Sequence, residues 1–192
     1  MDYFKKELDL VKNELIREQC VKVLEAVNEE FFVAAASSTG KYHPTYALGD
    51  GGLYRHTRAA VGIAASLLEL EQFDFGDLMH DYIICALILH DTCKSGINWD
   101  SRYTRHGHPI DASALIKNVL IVGDGESDAG TEFANNVCPL VESHMGQWNK
   151  CKWDGMVLPK PETDAEKFVH MCDYLASRKF LEYVFEEDKN NE

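Results

Sequence analysis

An unbroken apolar run near the middle of this 192-residue chain ends directly in two ionisable residues. Residues 83–89 read IICALIL, and His90 and Asp91 follow at once. A helix that is apolar on every side must be buried, so we predict a central buried helix over about residues 77–90. Its end would place two side chains that can bind metal at the edge of the core.

The rest of the hydrophobic pattern predicts further helices. Apolar residues recur at helical spacing through most of residues 1–36 and again in the ranges of about 53–70 and 128–144. A proline at the first helical position starts another helix at about His108, and Thr163-x-x-Glu166 is a capping box that opens a last one. No segment shows the apolar/polar alternation of a strand. We therefore predict an all-α fold.

Composition narrows the class of protein. The chain is 45% hydrophobic and 27% charged, which fits one globular domain with a substantial core. No apolar run approaches the roughly 18 residues that span a membrane, and the first residues lack a signal-peptide pattern. The six cysteines form no C-x-x-C pair, which favours buried free thiols and a cytoplasmic location. A formal net charge of −13 argues against general binding of nucleic acid or of an anionic membrane.

Six metal-capable residues lie at the ends or on the inward stripes of the predicted helices. They are His56, His90, Asp91, His108, His144 and Asp173. Imidazoles and carboxylates suit Mn, Fe, Co, Ni or Zn, and four histidines with two aspartates exceed one ordinary site. Taken singly, each also fits a structural interpretation, namely a satisfied core histidine, or for Asp173 a cap or a pair with Arg178.

A carboxylate between two groups of histidines can bridge two ions about 3.5–4 Å apart, the arrangement that hydrolyses phosphate esters. In this interpretation Asp91 bridges. One site is completed by His56, His90 and Asp173, and the other by His108 and His144. A hydroxide held between the ions would attack phosphorus. Lys94 would offer a cation to the phosphate or the leaving oxygen, and His106 is the candidate general acid.

Five short motifs in this order resemble those of one known family, the HD-domain superfamily of metal-dependent phosphohydrolases, in its six-ligand binuclear branch. They are GGLYRHT at 51–57, HDTCK at 90–94, GH at 107–108, SHMG at 143–146 and HMCDYLA at 170–176. Over about residues 28–180 the chain resembles in particular the HD domains of bacterial 3′–5′ exoribonucleases.

The resemblance implies a helical bundle of about seven to nine helices. It implies one HD phosphohydrolase domain over 1–192, with N-terminal helices in 1–36, a metal-binding core over about 37–180 and a polar acidic tail at 186–192. It also implies one or two divalent ions, drawn from Mn, Fe, Co, Ni, Zn and Mg. The sequence leaves the oligomeric state open.

Two departures from those exoribonucleases bear on the substrate. The chain lacks their N-terminal OB-fold domain, and Met145 stands where the second histidine of their SHHG motif would stand. Together with the acidic net charge, these departures favour a nucleotide or a short oligonucleotide as the substrate.

Residues outside the ligand set are candidates for substrate binding. Arginine suits bidentate contact with phosphate, and tryptophan can stack on a base or pack a long loop. Ser37, Ser38 and Thr39 could donate hydrogen bonds to the same ligand. The predicted substrate contacts are Lys41, His43, Arg55, Lys94, Arg102, Arg105 and Trp148, with Trp153 open to either role.

Two other functions remain open at this point. The same six-ligand set is known, by resemblance, in mixed-valent di-iron oxygenases of the superfamily, although Lys94 favours hydrolysis. The third alternative is a nucleotide-binding module that keeps the ligands for stability.

Overall fold

The apolar helix near the middle of the chain lies at the centre of the molecule in a computed structural model, which describes residues 3–37, 40–123 and 127–181. This helix, α5, spans Asp77–Leu89, and every residue from Asp81 to Leu89 is buried. Helices from both sides of it in sequence pack around it. Contact on all sides explains why its sequence has no polar face.

The described residues form eight α-helices and no β-strand, which confirms the all-α fold and the predicted number of helices. The helices are α1 (Lys5–Leu8), α2 (Glu14–Glu25), α3 (Glu30–Val33), α4 (Gly52–Leu67), α5, α6 (His108–Lys117), α7 (Asp128–Glu142) and α8 (Asp164–Ala176). Short 3₁₀ turns occur at Thr45–Ala47, Glu71–Phe73 and Gly146–Trp148, and a π-helical segment, Asn118–Gly123, follows α6. None of the helices in the described ranges is both long enough and apolar enough to cross a membrane.

The break between α1 and α2, which no Gly or Pro marks in the sequence, is caused by a buried carboxylate. Asp81 of α5 accepts hydrogen bonds from the backbone N–H groups of Lys12 and Asn13, at 2.9 and 2.8 Å. The Asn13 side chain then caps α2 by accepting from the N–H of Ile16. A contact between segments that are distant in sequence therefore sets this boundary.

The start of α4 requires glycine at two successive positions. Gly51 has a φ of +70°, a backbone conformation that residues with a Cβ rarely adopt. A Cβ on Gly52 would lie 2.3 Å from the carbonyl oxygen of Ala47. The glycines thus let the helix begin against the preceding 3₁₀ turn.

Helix α4 packs against α5 and α8 through alanines, since Ala59, Ala60 and Ala64 are fully buried.

The capping box of α8 is present as predicted: Thr163 accepts from the N–H of Glu166, whose side chain accepts from the N–H of Thr163. All six cysteines are buried and free. The predicted acidic tail, 186–192, lies outside the described residues.

Candidate metal centre

The six predicted ligands converge at one end of the bundle, although five separate segments supply them. His56 comes from the first turns of α4, and His90 with Asp91 follows the last residue of α5. The side chains of all but one are at most 2% exposed; that of Asp173 is 20% exposed. The cluster is therefore a buried set of nitrogen and carboxylate ligands that opens on one side.

The two carboxylate oxygens of Asp91 face different histidines. Oδ1 lies 3.0 Å from Nε2 of His108 and 3.8 Å from Nε2 of His144. Oδ2 lies 3.4 Å from Nε2 of His90 and 3.8 Å from Nε2 of His56. A carboxylate oriented in this way can contribute one oxygen to each of two neighbouring ions.

Asp173 completes the group around His56 and His90. Its Oδ1 lies 3.0 Å from Nε2 of His56 and 3.6 Å from Nε2 of His90. The ligand atoms of these three residues lie within 4.8 Å of one another, as do those of His90, Asp91 and His144. The alternative pair of Asp173 with Arg178 does not form; Arg178 lies over the ring of Tyr174 instead, 4.1 Å from its centroid.

Backbone carbonyls orient three of the imidazoles. The Nδ1–H groups of His90, His108 and His144 donate to carbonyl oxygens three residues earlier in the chain, at 2.7, 2.6 and 2.7 Å. A carbonyl can only accept, so each Nδ1 carries a proton, and in the neutral ring Nε2 carries a lone pair. Such second-sphere hydrogen bonds are typical of histidines that bind metal through Nε2.

Two observations test whether a cation fits these residues. Nε2 of His108 lies 3.2 Å from Nε2 of His144, so in the neutral rings two lone pairs face each other. Nε2 of His90 is buried and has no hydrogen-bond partner among the described residues. A divalent ion would satisfy all three nitrogens, and the mixed imidazole and carboxylate set suits a transition metal. The residues therefore fit a metal centre.

The pKa values of the cluster follow from burial and from its own charges. Burial opposes ionisation of His90, but Asp91 and Asp173 outweigh it and raise the His90 pKa to about 10. Burial, followed by electrostatic repulsion from the neighbouring His90 and His108, lowers the pKa of His144 to about 3. Burial alone would raise the pKa of Asp91, but Lys94 and His90 hold it well below its usual value. Both aspartates are thus ionised and ready to bind a cation, since His56 and His90 similarly overcome the effect of burial on the pKa of Asp173.

A cleft of about 240 Å³ lies above the cluster, and three predicted substrate residues line it. They are Lys94, whose ammonium group contacts Oδ2 of Asp91, His43 and Trp148. Burial, then the neighbouring His56 and Lys94, lower the pKa of His43 to about 4, so its imidazole is neutral near pH 7. Ser37 also lines this cleft, whereas Ser38 and Thr39 lie outside the described residues.

The other predicted substrate residues do not line this cleft. The guanidinium of Arg55 donates to the carbonyl oxygens of Tyr46 and Leu48, at 2.5 and 3.0 Å, and so holds the loop before α4. Lys41 lies over the ring of Tyr42, and Arg102 lies over that of Tyr103. The sequence could not show these orientations, because the backbone and aromatic partners depend on how the loops fold.

Arg105 and His106 line a neighbouring pocket instead. Arg105 pairs with Asp111 at 3.6 Å. Nε2 of His106 is 3.0 Å from the carbonyl oxygen of Asn149 and donates to it. The structure therefore does not bring His106, the candidate general acid, to the metal cluster.

The structure adds residues to the cleft that sequence reasoning missed. Tyr174 and Arg178 line its wall, and the ring of Tyr174 stacks on that of Trp148 with centroids 5.5 Å apart and an interplanar angle of 12°. The sequence did contain a hint of both contacts. Tyr174 directly follows the predicted ligand Asp173, and Arg178 follows Tyr174 by four residues, a spacing at which side chains on a helix can meet.

Comparison with known proteins gives one match. The model of a family described as HD domain matches residues 53–178, about two thirds of the chain and all six residues of the cluster. No curated protein and no solved structure matches the chain.

Proposed function

Because this chain belongs to the HD domain family, whose members are typically metal-dependent hydrolases, we propose that it hydrolyses a phosphate ester of a nucleotide or a short oligonucleotide. Membership of the family indicates a metal-dependent phosphohydrolase. The ester class, the substrate and the role of each residue are our proposal, and the geometry of the cluster supports them as follows.

The position of Asp91 carries the proposal. Its two oxygens face separate pairs of histidines, with Oδ1 3.0 Å from His108 and Oδ2 3.4 Å from His90. This is the arrangement that a bridging carboxylate needs. A divalent metal supplies Lewis-acid catalysis when bound, since it lowers the pKa of a water nucleophile and stabilises charge on a phosphoryl group.

The residues of the chain itself bind and orient the ester. Lys94 is half-buried at the floor of the cleft, where its ammonium group can stabilise negative charge that develops on the phosphate. His43, neutral near pH 7, can accept or donate one hydrogen bond without adding charge. The ring of Trp148, 43% exposed and supported from behind by Tyr174, offers a face on which a base can stack.

Local charge reconciles an anionic substrate with an acidic protein. The net charge of −13 disfavours a long nucleic acid, which would need many phosphate contacts. The cleft, however, contains Lys94 and Arg178, and a bound cation would add to their charge. A small substrate with one or a few phosphates therefore suits this site better than a polymer.

Metal reconstitution followed by a substrate screen tests the proposal. Metal-stripped protein is supplied in turn with Mn, Fe, Co, Ni, Zn and Mg and assayed on mononucleotides, cyclic dinucleotides and short RNA and DNA. We expect hydrolysis with at least one metal, lost in Asp91→Asn and retained in Asp111→Asn, a matched aspartate of α6 outside the cluster. Consumption of O₂ by the iron form without hydrolysis would support the oxygenase alternative, and nucleotide binding without turnover in any metal would support a non-catalytic module.

A further inference from the structure

A second pocket adjoins the metal cleft on the side of His108. Its volume is about 580 Å³, and its lining includes Arg105, Lys150, Lys152 and Trp153. Residues 149–158 form most of one wall, and we call this segment the basic hairpin. No residue of the basic hairpin is a proposed metal ligand or a proposed contact with the reacting phosphate.

Hydrogen bonds fix the shape of the basic hairpin. The N–H of Cys151 donates to the carbonyl of Met156, and the N–H of Leu158 donates to that of Asn149, both at 2.8 Å. The buried side chain of Asn149 donates to the carbonyl of Leu158 at 2.8 Å. His106 anchors the base of the hairpin through its bond to Asn149. The tip is therefore held in a defined position beside the pocket.

Three exposed side chains of the basic hairpin, those of Lys150, Lys152 and Trp153, form no hydrogen bond among the described residues, whereas Asp154 accepts from the N–H of Met156 at 2.9 Å. Trp153 is 96% exposed, so it does not pack the loop, which corrects one of its two predicted roles. Lys150 and Lys152 are exposed and form no ion pair within the part of the chain that the structure describes. An exposed tryptophan directly after the second of two exposed lysines, in a chain with a net charge of −13, is a local combination suited to a base and a phosphate.

The pocket and the cleft share walls. His108, Met145 and Trp148 line both. His108 is also the ligand whose Nε2 lies 3.0 Å from Oδ1 of Asp91. A chain of nucleotides with one phosphate at the metal cluster could therefore continue past Met145 into the pocket without leaving the protein surface.

We propose that this pocket binds the nucleotide unit next to the reacting phosphate, with its base stacked on Trp153 and its phosphate near Lys150 and Lys152. The inference rests on the proposed function and narrows it: the substrate has at least two nucleotide units, as in a dinucleotide or a short oligonucleotide. Met145, at the junction, forms an apolar step between the two nucleotide sites.

Calorimetric titration tests the pocket without turnover. The full chain in EDTA is titrated with thymidine 5′-monophosphate and with the 5′-phosphorylated dinucleotide pTpT. We expect pTpT to bind roughly 10-fold more tightly, because stacking on an aromatic ring is worth that much or more per base. Trp153→Ala should abolish the preference, and Trp153→Phe should keep most of it. The double variant Lys150→Gln, Lys152→Gln should weaken binding of pTpT and reduce its dependence on salt.

Equal affinity for the two ligands, or an undiminished preference in Trp153→Ala, would overturn the inference. Hydrolysis of bis(p-nitrophenyl) phosphate by the metal-loaded protein is measured in parallel, because this small diester has no second nucleotide. Normal hydrolysis of it without a preference for pTpT refutes the pocket alone. A preference for pTpT without hydrolysis of any phosphodiester supports the pocket and refutes the proposed catalysis.

Discussion

His108 and His144 direct their Nε2 atoms at each other across 3.2 Å, although each ring already donates its Nδ1 proton to a backbone carbonyl. When both rings are neutral, two lone pairs face each other at this distance and repel, so either one ring must take up a second proton or a cation must lie between them. The distance between these two atoms is therefore more direct evidence for a metal site than the residue types alone, because this geometry is unfavourable for two neutral imidazole rings without a metal.

A divalent metal should therefore stabilise the fold. At a free metal concentration 100 times Kd, binding contributes about 2.7 kcal/mol, which corresponds to a rise in Tm of roughly 5–10 °C for a chain of this size. Differential scanning fluorimetry with Mn²⁺ and with EDTA measures the shift. His144→Gln should lose most of it, whereas His80→Gln, whose histidine accepts from the N–H of Phe75 away from the cluster, should keep it. An equal shift in both variants would contradict this assignment.

Metal binding should release protons. The pKa of His90 is raised to about 10 in the metal-free protein, so the ring is protonated at pH 7.5, but it must be neutral to bind a metal. Binding therefore expels this proton, and affinity rises with pH, by up to about tenfold per unit below pH 10 for one proton. Calorimetric titration in two buffers of different ionisation enthalpy measures the number of protons released, and we expect His90 to contribute about one proton per chain on metal binding. Proton uptake on binding would contradict the prediction.

Lys94→Met should separate catalysis from metal binding. Loss of one cation that stabilises developing charge on phosphate typically lowers kcat by about 10²–10³-fold. None of the six proposed ligands is changed, and His90 still lowers the pKa of Asp91, so the metal content should remain near that of the wild type. Steady-state kinetics and metal analysis of one preparation check both. Lys167→Met, which removes an exposed lysine paired with Asp164, serves as the control. An equal loss of kcat in that variant would contradict a specific catalytic role of Lys94.

Gly146 should be irreplaceable for a steric reason. It has a φ of +55°, and a Cβ there would lie 2.2 Å from the ring of His170, whose Nδ1–H donates to the carbonyl of His144 at 2.7 Å. We expect Gly146→Ala to displace His144 and weaken metal binding. Gly155→Ala is the matched control, since Gly155 also has a positive φ but its Cβ would meet nothing within 4 Å.

Urea unfolding and a Mn²⁺ titration distinguish the two glycine variants. Gly155→Ala should cost only the left-handed backbone conformation, about 1–2 kcal/mol, with normal metal affinity. Gly146→Ala should cost more and bind metal less tightly. Equal effects of the two substitutions would show that His170 does not position His144.

Sequence patterns predicted the parts of the site that local chemistry determines. The apolar run before His90 required a buried helix, and helix α5 places Asp91 at its end as expected. The boundary between α1 and α2 could not be predicted in this way, because Asp81 sets it from a distant segment.

The orientations of long side chains near the site could not be predicted from the sequence, for the same physical reason. Arg55 adjoins a ligand in sequence, yet its guanidinium turns to the carbonyls of the preceding loop. Arg178 was an alternative partner for Asp173 in the sequence, yet its guanidinium lies over the ring of Tyr174 beside the cleft. The partners of long flexible side chains depend on which groups the tertiary structure brings near them. Spacing along the sequence does not determine those groups.

The metal content of Asp91→Asn, measured together with phosphodiester hydrolysis, tests the central claim most directly. The substitution keeps the shape of a side chain that is 2% exposed but removes the charge that two ions would share. If Asp91 bridges, the wild type should bind two Mn²⁺ per chain and the variant at most one, with turnover lowered by about 10³-fold or more. A variant that retains both the metal content and the turnover of the wild type would contradict the account.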